Sequence, residues 1–248
     1  MAFPDFVTGM AGWEKVVTSA QKHPLGTQMV IRDRLFRYVE NAGTEIGEGL
    51  LVSQKTGVAN HDDDLAVAST AAAGATSVSI TLGGTAAEKN LYKDGYIFNN
   101  TAAGTAALMY RVASHALIAS GGTGTIYLDE PDGLVNAWTA GTDVVGLIPS
   151  PWKDVVVYPT TATGYAVGVS CNTITASYYG WIQTRGPCLA MIDAAATTAV
   201  GTALMAPTNH VGQMELLTFE NEDYPVLATT GSLAAVDNEW AVVFLRIE

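Results

Sequence analysis

The densest set of metal-ligand side chains stands in a row at His61-Asp62-Asp63-Asp64. Ca²⁺ needs several oxygens converging at about 2.3–2.6 Å, whereas successive residues of an extended chain point to opposite faces. The run also lacks the D-x-D-x-D-G alternation that wraps a loop around one ion. Asp62 and Asp64 are therefore weak metal candidates, and a solvated acidic loop is the plainer reading. Nucleophilic catalysis finds as little support. Gly168-Val169-Ser170-Cys171-Asn172 has the first glycine and the serine of a nucleophile elbow, but places Asn where the strained turn needs a small residue. Ser114 and His115 are neighbours in sequence, which does not bring a hydroxyl to a ring nitrogen. The glycine-rich GGTGT at 121–125 lacks the GK[ST] ending of a phosphate loop. None of the 24 Asp and Glu residues is singled out as half of an acid pair. The chemistry-bearing residues thus predict neither an enzyme nor a cofactor.

The densest set of recognition side chains is YYGWIQTRGP at 178–187, which ends on a Gly-Pro stop. As a strand it would place Tyr179, Trp181, Gln183 and Arg185 on one face, with Tyr178, Gly180, Ile182 and Thr184 on the other. Three readings stay open. The stretch could be a core strand, because Trp and Tyr are large hydrophobes with a polar handle. It could be a subunit interface, where Tyr, Trp and Arg are enriched anchors. It could also be a sugar platform, for which only Gln183 is offered beside the rings. A second apolar set, Phe3, Phe6 and Trp13, lies in residues 1–24 without a period of 2 or 3.6. Those residues predict an extended arm that docks on something, since termini stay disordered unless tied down.

Short strands must position these groups. From Leu25 the runs GTQMVI, LFRYVE and EIGEGLLVSQ are separated by turn residues. SVSITL alternates with period 2, and GYIF, LMYRVA and TIYLDEPDG follow. Past Pro149 and Pro151 come DVVVYP, YAVGVS, CLAMID, GTALMA, MELLTF and WAVVFLRI. Runs of about five to eight residues are typical of strands and short for helices. The predicted fold is all-β: short-stranded barrel- or sandwich-like modules with an extended N-terminal arm at 1–24. The modules are a discontinuous core domain, 25–58 with 153–248, and an inserted β module, 59–152. The Ala-rich segment 59–76 repeats no apolar stripe and is read as a loop or edge.

With 48% hydrophobic and 15% charged residues, the 248-residue chain is compact rather than disordered. Its formal charge is −12, and the excess lies downstream: residues 1–55 carry six basic and six acidic side chains, the remainder six and eighteen. Such a chain repels nucleic acid, and Arg32, Arg34 and Arg37 read as a charged strand edge rather than a phosphate-binding patch. No apolar run approaches the ~20 residues of a membrane span, and MAFPDFVTGMAG lacks the regions of a secretory signal. Neither membrane nor nucleic acid is an expected partner. Cys171 and Cys188, without CxxC spacing, read as buried thiols, with a disulfide left open.

Several stretches also carry a resemblance. HPLGT at 23–27 with FRYVENAGTEIGEGLLV at 36–52, LYKDGYIFNN at 91–100 with YRVASH at 110–115, and YYGWIQTRGP at 178–187 resemble, in order and gaps, a family of tailed-bacteriophage virion proteins similar to head decoration, or capsid cement, proteins. The likeness runs from about residue 23 to the C-terminus. It departs at TAAGTAA (101–107), where a shorter, more polar turn is usual, and at Arg185, where an aromatic residue is common. It brings no active-site residue. It implies a structural virion protein on the capsid exterior that binds the major capsid protein and ties capsomers together as a symmetric homo-oligomer, a trimer. A host-surface or carbohydrate-binding virion module is the alternative, marked by exposure of Trp181, Tyr179 or Trp138 in a concave site. An uncharacterised hydrolase is the second alternative.

Overall fold

The structure is a computed structural model that describes residues 6–101, 108–193, 199–217, 225–231 and 239–248. Phe3 and most of the TAAGTAA turn lie outside the described residues. Among those described, the elements are strands and one 3-10 turn, Trp13–Lys15, so the chain is all-β as expected. In chain order the strands are β1 (Phe6–Thr8), β2 (Gln28–Ile31), β3 (Arg34–Glu40), β4 (Leu51–Ser53), β5 (Leu65–Ser69), β6 (Ser77–Thr81), β7 (Tyr96–Asn99), β8 (Met109–His115), β9 (Thr123–Leu128), β10 (Val144–Ile148), β11 (Val156–Val157), β12 (Ala166–Ser170), β13 (Tyr179–Asp193), β14 (Ala203–Met205), β15 (Met214–Leu216), β16 (Ala228–Thr230) and β17 (Glu239–Arg246). The chain divides into two compact units, 1–55 with 151–248 and 56–150. No helix among the described residues is long and apolar enough to cross a membrane.

Residues 56–150 form a closed six-stranded barrel in the order β10-β5-β6-β9-β8-β7. Period-2 alternation builds its interior: Val78 and Ile80 of β6 point in while Ser77, Ser79 and Thr81 are half-buried. Trp138 and Tyr92 are the largest side chains wholly inside. Closure leaves these strands no free edge. The segment 59–76, read as loop or edge, instead contains β5, bonded to β10 on one side and β6 on the other. Leu65 and Val67 face the core between exposed Ala66 and Ala68. Two apolar residues suffice for so short a barrel strand, which is too few to register as a stripe.

In the other unit β13 is the organiser. Its first half pairs antiparallel with β3, Trp181 opposite Tyr38 and Tyr179 opposite Glu40, and with β12. Its second half pairs antiparallel with β17, from Arg185 opposite Arg246 to Ile192 opposite Glu239, and parallel with β15. Because β15, β14, β16 and β17 pair in turn and β17 returns to β13, five strands close a second ring. Ala190, Ile192, Leu204, Met214 and Val243 belong to its core. The Gly-Pro pair read as a stop does not end β13. A β-bulge lies between Gln183 and Arg185, and Gly186 just beyond it has φ 89°. A Cβ at Gly186 would come within 2.4 Å of the Asp33 carbonyl oxygen, so both backbone and space demand glycine there.

The described part of the expected arm packs on this same unit. Strand β1 adds in parallel to β2, Phe6 opposite Gln28. Thr18 and Tyr179 exchange two backbone hydrogen bonds of 2.9 Å. Phe6 and Trp13 are nonetheless exposed.

Candidate functional site

The aromatic face foreseen on 178–185 exists only in part. Trp181 and Gln183 are buried and Tyr179 is half-buried, but the bulge turns Arg185 out of that face to solvent. An extra residue on one strand shifts every side chain after it to the other phase. The Gln183 amide serves the bulge itself: Nε2 donates to the Arg185 carbonyl at 3.0 Å and to the Pro187 carbonyl at 2.7 Å. The one polar group offered for sugar binding is occupied by backbone.

The rings form a cluster drawn from three sequence segments. Trp181 meets Tyr38 edge-on at 5.0 Å between centroids and His23 at 5.3 Å. Tyr38 stacks on Tyr179 at 6.1 Å and meets His23 edge-on at 5.2 Å. Burial holds the His23 imidazole below its ordinary value, which favours the uncharged ring among its aromatic neighbours. The Tyr179 hydroxyl donates to Glu40 Oε1 at 3.3 Å; burial, then the Glu40 carboxylate, pushes its ionisation upward. Trp13, Lys22, His23, Tyr38 and Trp181 line a small pocket of about 300 Å³. Trp138, the other ring proposed as an exposed shelf, is instead wholly inside the barrel, edge-on to Tyr110 at 5.6 Å.

His61, first in the acidic run, is fully buried and takes no part in an acidic ligand set. Its Nε2 donates to the Thr85 carbonyl at 2.9 Å, which leaves Nδ1 to accept from the Tyr92 hydroxyl. His115 has the opposite tautomer: Nδ1 donates to the Ala116 carbonyl at 2.7 Å and Nε2 accepts from the Tyr92 N–H at 3.0 Å. Burial holds the His115 imidazole below its ordinary value, the bond to Ala116 opposing this in part. Asp63 accepts from Asn100 Nδ2. Among the described residues no group of three or more metal-ligating side chains forms, so Asp62 and Asp64 gather no ligand set.

Cys171 and Cys188 are free thiols. Burial pushes Cys188 up to about 12 and Cys171 well above the ordinary thiol range, a poor setting for a thiolate nucleophile. Ser170 Oγ donates to the Gly47 carbonyl at 2.5 Å and accepts from the Leu50 N–H at 3.2 Å, a structural clamp. Two features had no motif to announce them. His210 Nδ1 lies 2.7 Å from Asp193 Oδ2. On the outer face of β13 and β17, Leu189, Trp240, Val242 and Phe244 are all exposed. The doubly apolar alternation of WAVVFLRI was the available signal for the second. Comparison with protein families, with curated proteins and with solved structures finds no match for the chain.

Proposed function

We propose that this chain is a structural protein of a tailed-phage particle that binds the outer surface of the head and holds neighbouring capsomers together. One observation carries the reading: the stretches that resemble decoration proteins build framework. HPLGT, FRYVE and YYGWIQ supply the rings that lock β3 to β13. LYKDGYIFNN and YRVASH supply the paired strands β7 and β8 and the Tyr92–His115 bond beside them. Within those stretches the Asn41 and Gln183 amides and the His115 ring bond to backbone. Closed, short-stranded units are stiff, which suits a clamp between subunits, and the acidic excess favours solubility on an exposed surface. The partners implied are the major capsid protein and further copies of the chain.

A second reading, a glycan-binding virion module, is favoured by one feature: Trp13 stands exposed on a pocket backed by Trp181 and Tyr38. Co-sedimentation with purified heads that lack the protein separates the two. The decoration reading predicts saturable binding at a fixed number of copies per capsomer. Failure to bind heads, with binding to host-cell glycans, would move the function to the pocket.

A further inference from the structure

The terminal strand sequence WAVVFLRI is apolar in both phases of its alternation, the pattern of a strand covered on both faces. One phase, Ala241, Val243 and Leu245, is buried in the five-stranded ring. The other faces out: Trp240, Val242 and Phe244 are 41, 46 and 45% exposed, and Leu189 of β13 is 54% exposed beside them. Cross-strand register makes them one patch, with Met191 opposite Trp240, Leu189 opposite Val242 and Pro187 opposite Phe244. Contiguous exposed apolar side chains rimmed by charge mark interaction sites on soluble proteins.

Charge is laid out along the same face. Arg185 and Arg246 oppose each other at one end; both are exposed, and neither has an ion-pair partner among the described residues. Like charges directly opposite on a sheet repel, so this end favours an incoming carboxylate. Roughly 20 Å along the strands lies an acidic end. The Trp240 ring rests there on Gly49, where a Cβ would meet it at 2.0 Å, and the adjacent Glu48 is exposed, one carboxylate oxygen accepting from the Thr173 hydroxyl at 2.6 Å. The face is thus basic at one end, apolar in the middle and carries the Glu48 carboxylate at the other, so a second copy turned end for end meets opposite charge. A two-fold axis near Leu189 and Val242 sets the arginines of each copy over Glu48 of the other.

We propose that this outer face of β13 and β17 docks a second copy of the chain, pairing two copies about that two-fold axis. The apolar patch supplies the centre of the contact and the charged ends its rim, within the ~800 Å² per partner of a standard interface. The pairing stands apart from the decoration reading, and it differs from the trimer implied by resemblance, because one isologous contact closes a dimer.

Analytical ultracentrifugation of the full chain over a concentration series tests it. The expected result is a reversible dimer that weakens with added salt. Leu189→Lys and Val242→Lys, both on the exposed phase, should each weaken association at least ~10-fold with the circular dichroism of the parent retained. Arg185→Glu with Arg246→Glu should do the same, and adding Glu48→Arg to that pair should restore the dimer by exchanging the two ends. A monomer at every concentration, a trimer, or a dimer indifferent to both lysine variants would overturn the proposal.

Discussion

A proton arriving at His115 finds no place to go. Nδ1 already carries the hydrogen given to Ala116, and a hydrogen on Nε2 would point at the Tyr92 N–H. Burial lowers the folded imidazole from its ordinary value of 6.5, so the unfolded chain takes up the proton first as pH falls. The stability contributed by His115 is therefore complete above about pH 6.5 and is lost as pH drops through that value toward the folded pKa, by at most ~1.4 kcal/mol per pH unit. Melting temperatures measured from about pH 7.5 down to 5 should fall. The fall should be shallower in His115→Gln, whose amide oxygen can still accept from Tyr92. Equal slopes would remove His115 as a source of the pH dependence. In the sequence His115 was visible only as the neighbour of Ser114. Its true partner lies 23 positions away, and no local pattern encodes a contact made by barrel closure.

At the scale of elements, the β3–β13 pair depends on Trp181, buried against Tyr38 and His23. Trp181→Ala should cost ~3–5 kcal/mol through lost burial and a residual cavity. Urea unfolding would show this as a shifted midpoint, and an unchanged midpoint would make Trp181 a pocket wall without a packing role. Strands with clean alternation, such as β6 and β7, were legible because half-burial writes period 2 into the sequence. The continuation of β13 was not. TRGP reads as a break, yet Gln183 satisfies the carbonyls around the bulge and Pro187 takes a place opposite Phe244. A bulge is compatible with a residue that donates no hydrogen bond. The same bulge is why Arg185 left the face assigned to it.

At the scale of the molecule, the sequence reading bounded the inserted module at 59–152 from the Ala-rich run that opens it and the Pro149–Pro151 punctuation that closes it, and the compact unit spans 56–150. Both are local signals of composition and turn chemistry. Closure of the five-stranded ring by β13 and β17 joins segments about fifty positions apart and could not be read from either alone. The function proposed rests on the framework role of the resembling stretches, and its central claim concerns location. Under that proposal, the direct measurement is a cryo-electron reconstruction of a tailed-phage particle with this protein bound. The account predicts density matching both β units on the outside of the head, at symmetry-related positions where capsomers meet, in contact with the major capsid protein. Density for the chain confined to the tail or its fibres, with the head surface bare, would contradict it.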